Sequence, residues 1–184
     1  MLCRHVTTET GKVKMRFKGK SGKIHEVVIT DRRLGRIVRK CRELPGQALF
    51  QYVNGEGVPH PITSGDVNDY IRDATGSDFT AKHFRTWGAS VIAFEQLLKK
   101  AEDARITVKT VIEPVAEALG NTPAISRKSY VHPKLLEAVK DDPRDPLNGL
   151  ERPRARKRLS SCEVGLLQFL SKGARRRQRK SAAA

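Results

Sequence analysis

The hydrophobic period of this chain changes at Asp31, and that change limits its fold more than any other feature. Before it, residues 12–18 (KVKMRFK) alternate strictly, with Val13, Met15 and Phe17 on one face and Lys12, Lys14, Arg16 and Lys18 on the other. A period of two belongs to a strand buried on one side. Gly19-Lys20-Ser21-Gly22 and then the β-branched run Ile24–Ile29 predict a β-hairpin over 12–29, with Lys20 at its tip. From Asp31, placed as N-cap, Leu34, Ile37, Val38 and Cys41 recur at i, i+3, i+4 and i+7. That spacing predicts a helix to about Leu44, before Pro45-Gly46.

Helical periods govern most of the chain beyond Asp31. Residues 53–62 are rich in Gly and Pro and read as loop. Thr63 with Asp66, or Ser64, opens a helix to about Ala74 that Gly76 closes. Thr80 caps a long helix from about Ala81 to Ala101, and another spans roughly Arg105–Leu119, where Pro114 predicts a kink or an early break. Thr122-Pro123 restarts a helix that Pro133 limits. The prediction is a mainly α chain with a small β-hairpin near the N-terminus (α+β). One core covers 1–140, with the hairpin over 12–29 and helices within 31–138. A proline- and charge-rich linker occupies 141–158. Ser160 and Glu163 form a capping box for a C-terminal helix over 159–173, and 174–184 reads as a basic, disordered tail.

Charge decides the class of partner. A net +16 makes a compact chain repel itself, and a polyanion is its natural complement. Eleven cations lie in 152–158 (RPRARKR) and 172–180 (KGARRRQRK), leaving about +5 on the rest. Charge alone therefore indicates a nucleic-acid binder and no more. Three widely spaced thiols, Cys3, Cys41 and Cys162, show no metal or disulfide pattern and suit a reducing compartment. No apolar run approaches a membrane span, and Met1–His5 has no signal-peptide architecture. The expectation is a soluble, cytoplasmic, nucleoid-associated protein with no membrane partner.

Three segments carry candidate chemistry: Gly19-Lys20-Ser21-Gly22-Lys23-x-His25, Thr80-Ala81-Lys82-His83-Phe84-Arg85-Thr86-Trp87, and Leu119-Gly120-Asn121-Thr122-Pro123 running on through Ser126 to Ser129-Tyr130. Together they resemble the active-site segments of type IB DNA topoisomerases, of the bacterial and poxvirus-like branch. Leu44-Pro45-Gly46-Gln47-x-Leu49-Phe50 and Asp66-Val67-Asn68-x-Tyr70 resemble that branch outside the active site. The likeness runs from about Leu2 to Pro133 and more weakly to Leu170. It implies the core shared by type IB topoisomerases and tyrosine recombinases. It also implies relaxation of supercoiled double-stranded DNA by a monomer, through a 3′-phosphotyrosyl intermediate, with no cofactor, ATP or metal. By the same resemblance Tyr130 is the nucleophile and Lys20 the general acid. Arg85 is one of two phosphate-binding arginines, Asn121 a hydrogen-bond donor, and Lys82 an assisting lysine.

The residue types suit that chemistry. Phosphoryl transfer is mostly positioning and charge stabilisation. A guanidinium grips two oxygens at once, a lysine can protonate a leaving oxygen, and an amide donates without titrating. Ordinary readings stand beside these. Tyr130 could be an amphipathic helix-end residue, and Lys20 a solvated loop lysine with Lys23 as its rival. Arg85 could serve a structural salt bridge, Asn121 a helix C-cap, and Trp87 the core; His83, where relatives often carry an acid, reads as a surface change. Competing functions are a tyrosine recombinase, disfavoured because the histidine of Lys82-His83-Phe84-Arg85 falls one place late, and a catalytically weak DNA-binding remnant. Family members begin with a DNA-clamping domain and a further catalytic arginine, and Leu2-Cys3-Arg4-His5-Val6 aligns downstream of both. The expectation is a chain shortened at its start, by truncation, by a mis-assigned start or by reliance on a partner, that relaxes supercoils poorly.

Overall fold

The computed structural model describes residues 1–9, 12–19, 22, 24–99, 105–147 and 149–181, the last stretch as backbone only beyond residue 172. The chain forms two compact units, Met1–Gly76 and Ser77–Ala184, where the sequence predicts a single core over 1–140. The architecture is mainly helical with a small antiparallel sheet near the N-terminus, as expected.

In the first unit β2 (Lys12–Lys18) and β3 (Ile24–Ile29) pair antiparallel in the register Val13↔Ile29 to Lys18↔Ile24. The alternation works as read: Val13 and Met15 are buried while Lys12, Lys14, Arg16 and Lys18 are exposed. The hairpin gains a third strand, β1 (Val6–Glu9), paired with β2 and too short to carry a period of its own. Helix α1 (Arg32–Glu43) starts on the Asp31 carboxylate, which accepts from the backbone N–H of Arg33 and Leu34. It lies against β2 through Gly35 and Val38; a Cβ at Gly35 would sit 3.6 Å from Val13 Cγ2, an ordinary contact. Val6, Val13, Met15, Val38 and Leu49 form this unit's core.

The presumed loop over 53–62 contains a ribbon, β4 (Gln51–Val53) against β5 (Pro59–Pro61). Its prolines flank His60, which pairs with Tyr52. Proline is tolerated in an edge strand where no ladder N–H is needed, so the composition misled. Helix α2 (Ser64–Thr75) opens on a Thr63–Asp66 capping box and closes at Gly76, whose φ of 63° is left-handed.

The second unit is helical: α3 (Ala81–Leu98), α4 (Val108–Leu119), α5 (Pro123–Ser129), α6 (Pro133–Asp141) and α7 (Ser161–Ser181). Ala89, Ala93, Phe94 and Leu97 form one stripe of α3 and pack with Val111, Ile112 and Val115 of α4. Leu135 and Val139 of α6 and Leu166 of α7 complete the core. Helix α4 continues through Pro114 without the predicted break. The stretch 141–158 is more than a linker. Pro146 and Leu147 are buried, and the Pro143 carbonyl accepts from the Ile106 backbone N–H at 2.9 Å. Helix α7 runs past Gly173 to Ser181, where the sequence predicts a helix end and a disordered tail. A single glycine weakens a helix by roughly 1 kcal/mol without stopping it.

Candidate active site

Three loop-and-helix junctions in the second unit place the candidate residues. Helix α4 ends at Gly120, left-handed at φ 65°, whose N–H bonds the carbonyls of Ala116 and Glu117. Only a residue without a Cβ enters that conformation freely, so Gly120 turns the chain sharply and sets Asn121 at the corner. Thr122 then caps α5 by accepting from the Ile125 backbone N–H, with Pro123 in the first turn. Tyr130 is the residue that ends this short helix, its N–H bonded to the Ser126 carbonyl at 3.1 Å. The phenol thus leaves from the end of a rigid turn and stays half-buried.

Arg85 projects from the second turn of α3 and joins both ends of the Leu119–Tyr130 segment. Its Nη2 donates to the Leu119 carbonyl at 3.1 Å, and its guanidinium carbon lies 5.3 Å from the centre of the Tyr130 ring. That is a cation–π contact, which holds positive charge beside the phenol. The side chain is otherwise exposed, and no salt bridge holds it among the described residues. Lys82 lies three residues earlier on α3, hence on the same helix face, and is exposed. Asn121 keeps a buried Nδ2 with no partner among the described residues. A buried donor left unpaired costs about 1–3 kcal/mol, and the buried Ser126 hydroxyl nearby in the chain is likewise without a partner among the described residues. The structure therefore brings together Arg85 and Tyr130, with Asn121 two residues beyond the carbonyl that Arg85 grips. Lys20 and its rival Lys23 lie outside the described residues.

No sequence signal points to Ser90. It is 3% exposed on α3; its hydroxyl donates to the Thr86 carbonyl at 2.9 Å and accepts from the His132 backbone N–H at 3.0 Å. The Tyr130 carbonyl lies 3.5 Å from the same oxygen. The helix that carries Arg85 is thus pinned to the chain on either side of Val131, fixing the arginine and the tyrosine relative to each other. No spacing in the sequence marks a serine for this; only the packing does. Trp87 is partly buried and packs against the core, its indole N–H donating to Glu163 Oε1 at 3.0 Å. That bond and the Ser160 cap hold the Glu163 carboxyl below the usual carboxylate range. His83 takes over the capping work of an acid, its Nδ1 accepting from the Thr80 backbone N–H at 3.0 Å.

A cation stacked on a half-buried phenol can receive an anionic oxygen and stabilise the charge that develops on it. Comparison with known proteins gives this geometry a context. The family model of the eukaryotic DNA topoisomerase I catalytic core matches residues 1–152. The chain is also 33% identical over 152 residues to DNA topoisomerase 1B of Acanthamoeba polyphaga mimivirus, an alignment covering 76% of this chain and 45% of that protein. The chain thus spans about half the length of the curated relative it matches.

Proposed function

This chain belongs to the type IB DNA topoisomerase family, and from that membership we propose that it cuts and reseals one strand of duplex DNA, relaxing supercoils. Tyr130 Oη gives up its proton to solvent and attacks a phosphodiester phosphorus. A 3′-phosphotyrosyl bond forms as the bond to the 5′-oxygen breaks, and that oxygen leaves as a hydroxyl with a proton from Lys20. Strand rotation and the reverse attack of the 5′-hydroxyl restore the backbone and the tyrosine. Bond energy is conserved in the protein–DNA link, so neither ATP nor a metal is required. Arg85 and Asn121 donate to the non-bridging oxygens, and Lys82 assists from the same face of α3. The protein works as a monomer on double-stranded DNA, in the cytoplasm.

The observation that carries this reading is the seat of Arg85, 5.3 Å from the Tyr130 ring and tethered to Leu119. A phosphate drawn in by that guanidinium would arrive beside the phenol. The test is covalent capture: a labelled duplex whose cleaved fragment dissociates should leave a protein–DNA adduct that survives denaturation. Adduct should form equally in a metal chelator and be absent in Tyr130→Phe. Arg85→Ala should slow it on the order of 10²–10³-fold, the usual effect of losing one transition-state donor. An adduct of undiminished yield in Tyr130→Phe would sink the assignment.

A further inference from the structure

Beyond the tyrosine site, we propose that the turn closing at Arg156 and Leu159, together with the adjoining flank of α7, is a second surface for duplex DNA, gripping its phosphates without reading its sequence. The proposal rests on the reading that this chain acts on DNA. Its cations, Arg154, Arg156, Lys157, Arg158 and Lys172, all lie beyond the residues that match the topoisomerase catalytic core.

A run of cations is ordinarily a solvated face, but this one is held in shape. Arg156 and Leu159 exchange backbone hydrogen bonds, each 3.0 Å, and close a two-residue turn with Lys157 and Arg158 at its tip. Arg158 sits at φ 70°, the one non-glycine left-handed residue among those described. An L side chain there is strained, and strain of this kind marks positions where something other than stability selects the residue. Glycine would fit the backbone better; arginine puts a charge at the tip. The turn is also anchored. A Cβ at Gly165 of α7 would come within 3.2 Å of Pro153 Cδ, so the segment leading into the turn is in close contact with the helix, and Leu159 is half-buried. Between turn and helix lies an open groove of about 490 Å³ lined by Leu159, Val164 and Leu167 and by the cations Arg156 and Lys172.

The chemistry of the surface selects the partner. Arg154, Arg156, Lys157, Arg158 and Lys172 are exposed, and the nearby Glu163 carboxylate is already committed to Ser160 and Trp87. Residues 151–160 contain no aromatic side chain to stack on unpaired bases or to anchor in a lipid interface. What remains is a preorganised cationic edge, suited to the regular backbone charge of a duplex. Each phosphate it neutralises releases condensed counterions.

The experiment measures binding of the full chain to a short duplex across a salt series, for the wild type and for the triple variant Arg154→Gln, Arg156→Gln, Arg158→Gln. The triple variant should lose roughly 3 from the slope of log affinity against log salt, about 0.9 per contact. Its Tyr130 adduct, formed at saturating duplex and low salt, should keep the wild-type rate. Arg158→Gly serves as the second variant: it relaxes the backbone, so its melting temperature should hold or rise while the slope still falls by about 0.9. An unchanged slope in both variants overturns the proposal, and so does binding that is lost for vesicles of anionic lipid but not for duplex. If the slopes fall as expected yet no adduct forms even in the wild type, the surface stands and the catalytic reading fails.

Discussion

Two histidines start helices in this chain by the same device. His83 Nδ1 accepts from the Thr80 backbone N–H at 3.0 Å, and His132 Nδ1 accepts from Lys134 at 3.2 Å. An imidazole can accept only while that nitrogen is unprotonated. For His132, burial and then the neighbouring Lys134 charge push the pKa below its ordinary 6.5, against a weaker opposing pull from Glu137. The folded protein thus resists a proton that the unfolded chain takes up readily. The stabilisation is complete above about 6.5 and is lost as pH falls through 6.5 towards the depressed folded value. His132→Asn keeps a capping oxygen without titrating, so its stability should fall less than that of the wild type between neutral pH and pH 5. Parallel unfolding curves across that range check this; identical pH dependence would count against it. The segments holding Tyr130, Arg85 and Asn121 stood out in the sequence through their resemblance to the active-site segments of type IB topoisomerases, and the contact between Arg85 and Tyr130 came from the fold. Ser90 did not stand out, since its partners at Tyr130 and His132 lie some forty residues away and meet it only through tertiary contact. Nor did the cap at His132, because histidine is not among the usual capping residues although its partner, Lys134, is local.

At the scale of elements, close packing sets the tolerances. A Cβ at Gly165 would lie 2.6 Å from Phe94 Cε1, and Phe94 is fully buried in the stripe that α3 presents to the core. A side chain at this position would force the ring or the helix to shift. Gly165→Ala should therefore destabilise by about 1–3 kcal/mol, although alanine is the better helix former. Denaturant unfolding measures it, and a stabilised variant would show that the ring yields. The same reasoning separates the elements that could be read from those that could not. The hairpin of β2 and β3 and the helix α1 follow from period and capping alone. The strands β1, β4 and β5 are three or four residues long, so they exist because a neighbour supplies their hydrogen bonds.

For the molecule as a whole, the division at Gly76 has a consequence for folding. All of the second unit's buried cluster, from Ala89 to Leu166, comes from residues beyond Ser77. A fragment of residues 77–184 should therefore fold alone, with a helical circular-dichroism spectrum and a cooperative thermal transition; a featureless melt would refute this. The chain's own sequence determined the period of each long element, its caps and the order of residues that identify it as a type IB topoisomerase. These properties depend on neighbours within about one helical turn or on a motif read along the chain. Tertiary structure decided the rest: that 141–158 packs against the helices, that Arg85 lies over Tyr130, and that Ser90 holds the two in place. Each of those depends on groups far apart in the chain, where burial and hydrogen-bond partners are settled only when the helices close on one core.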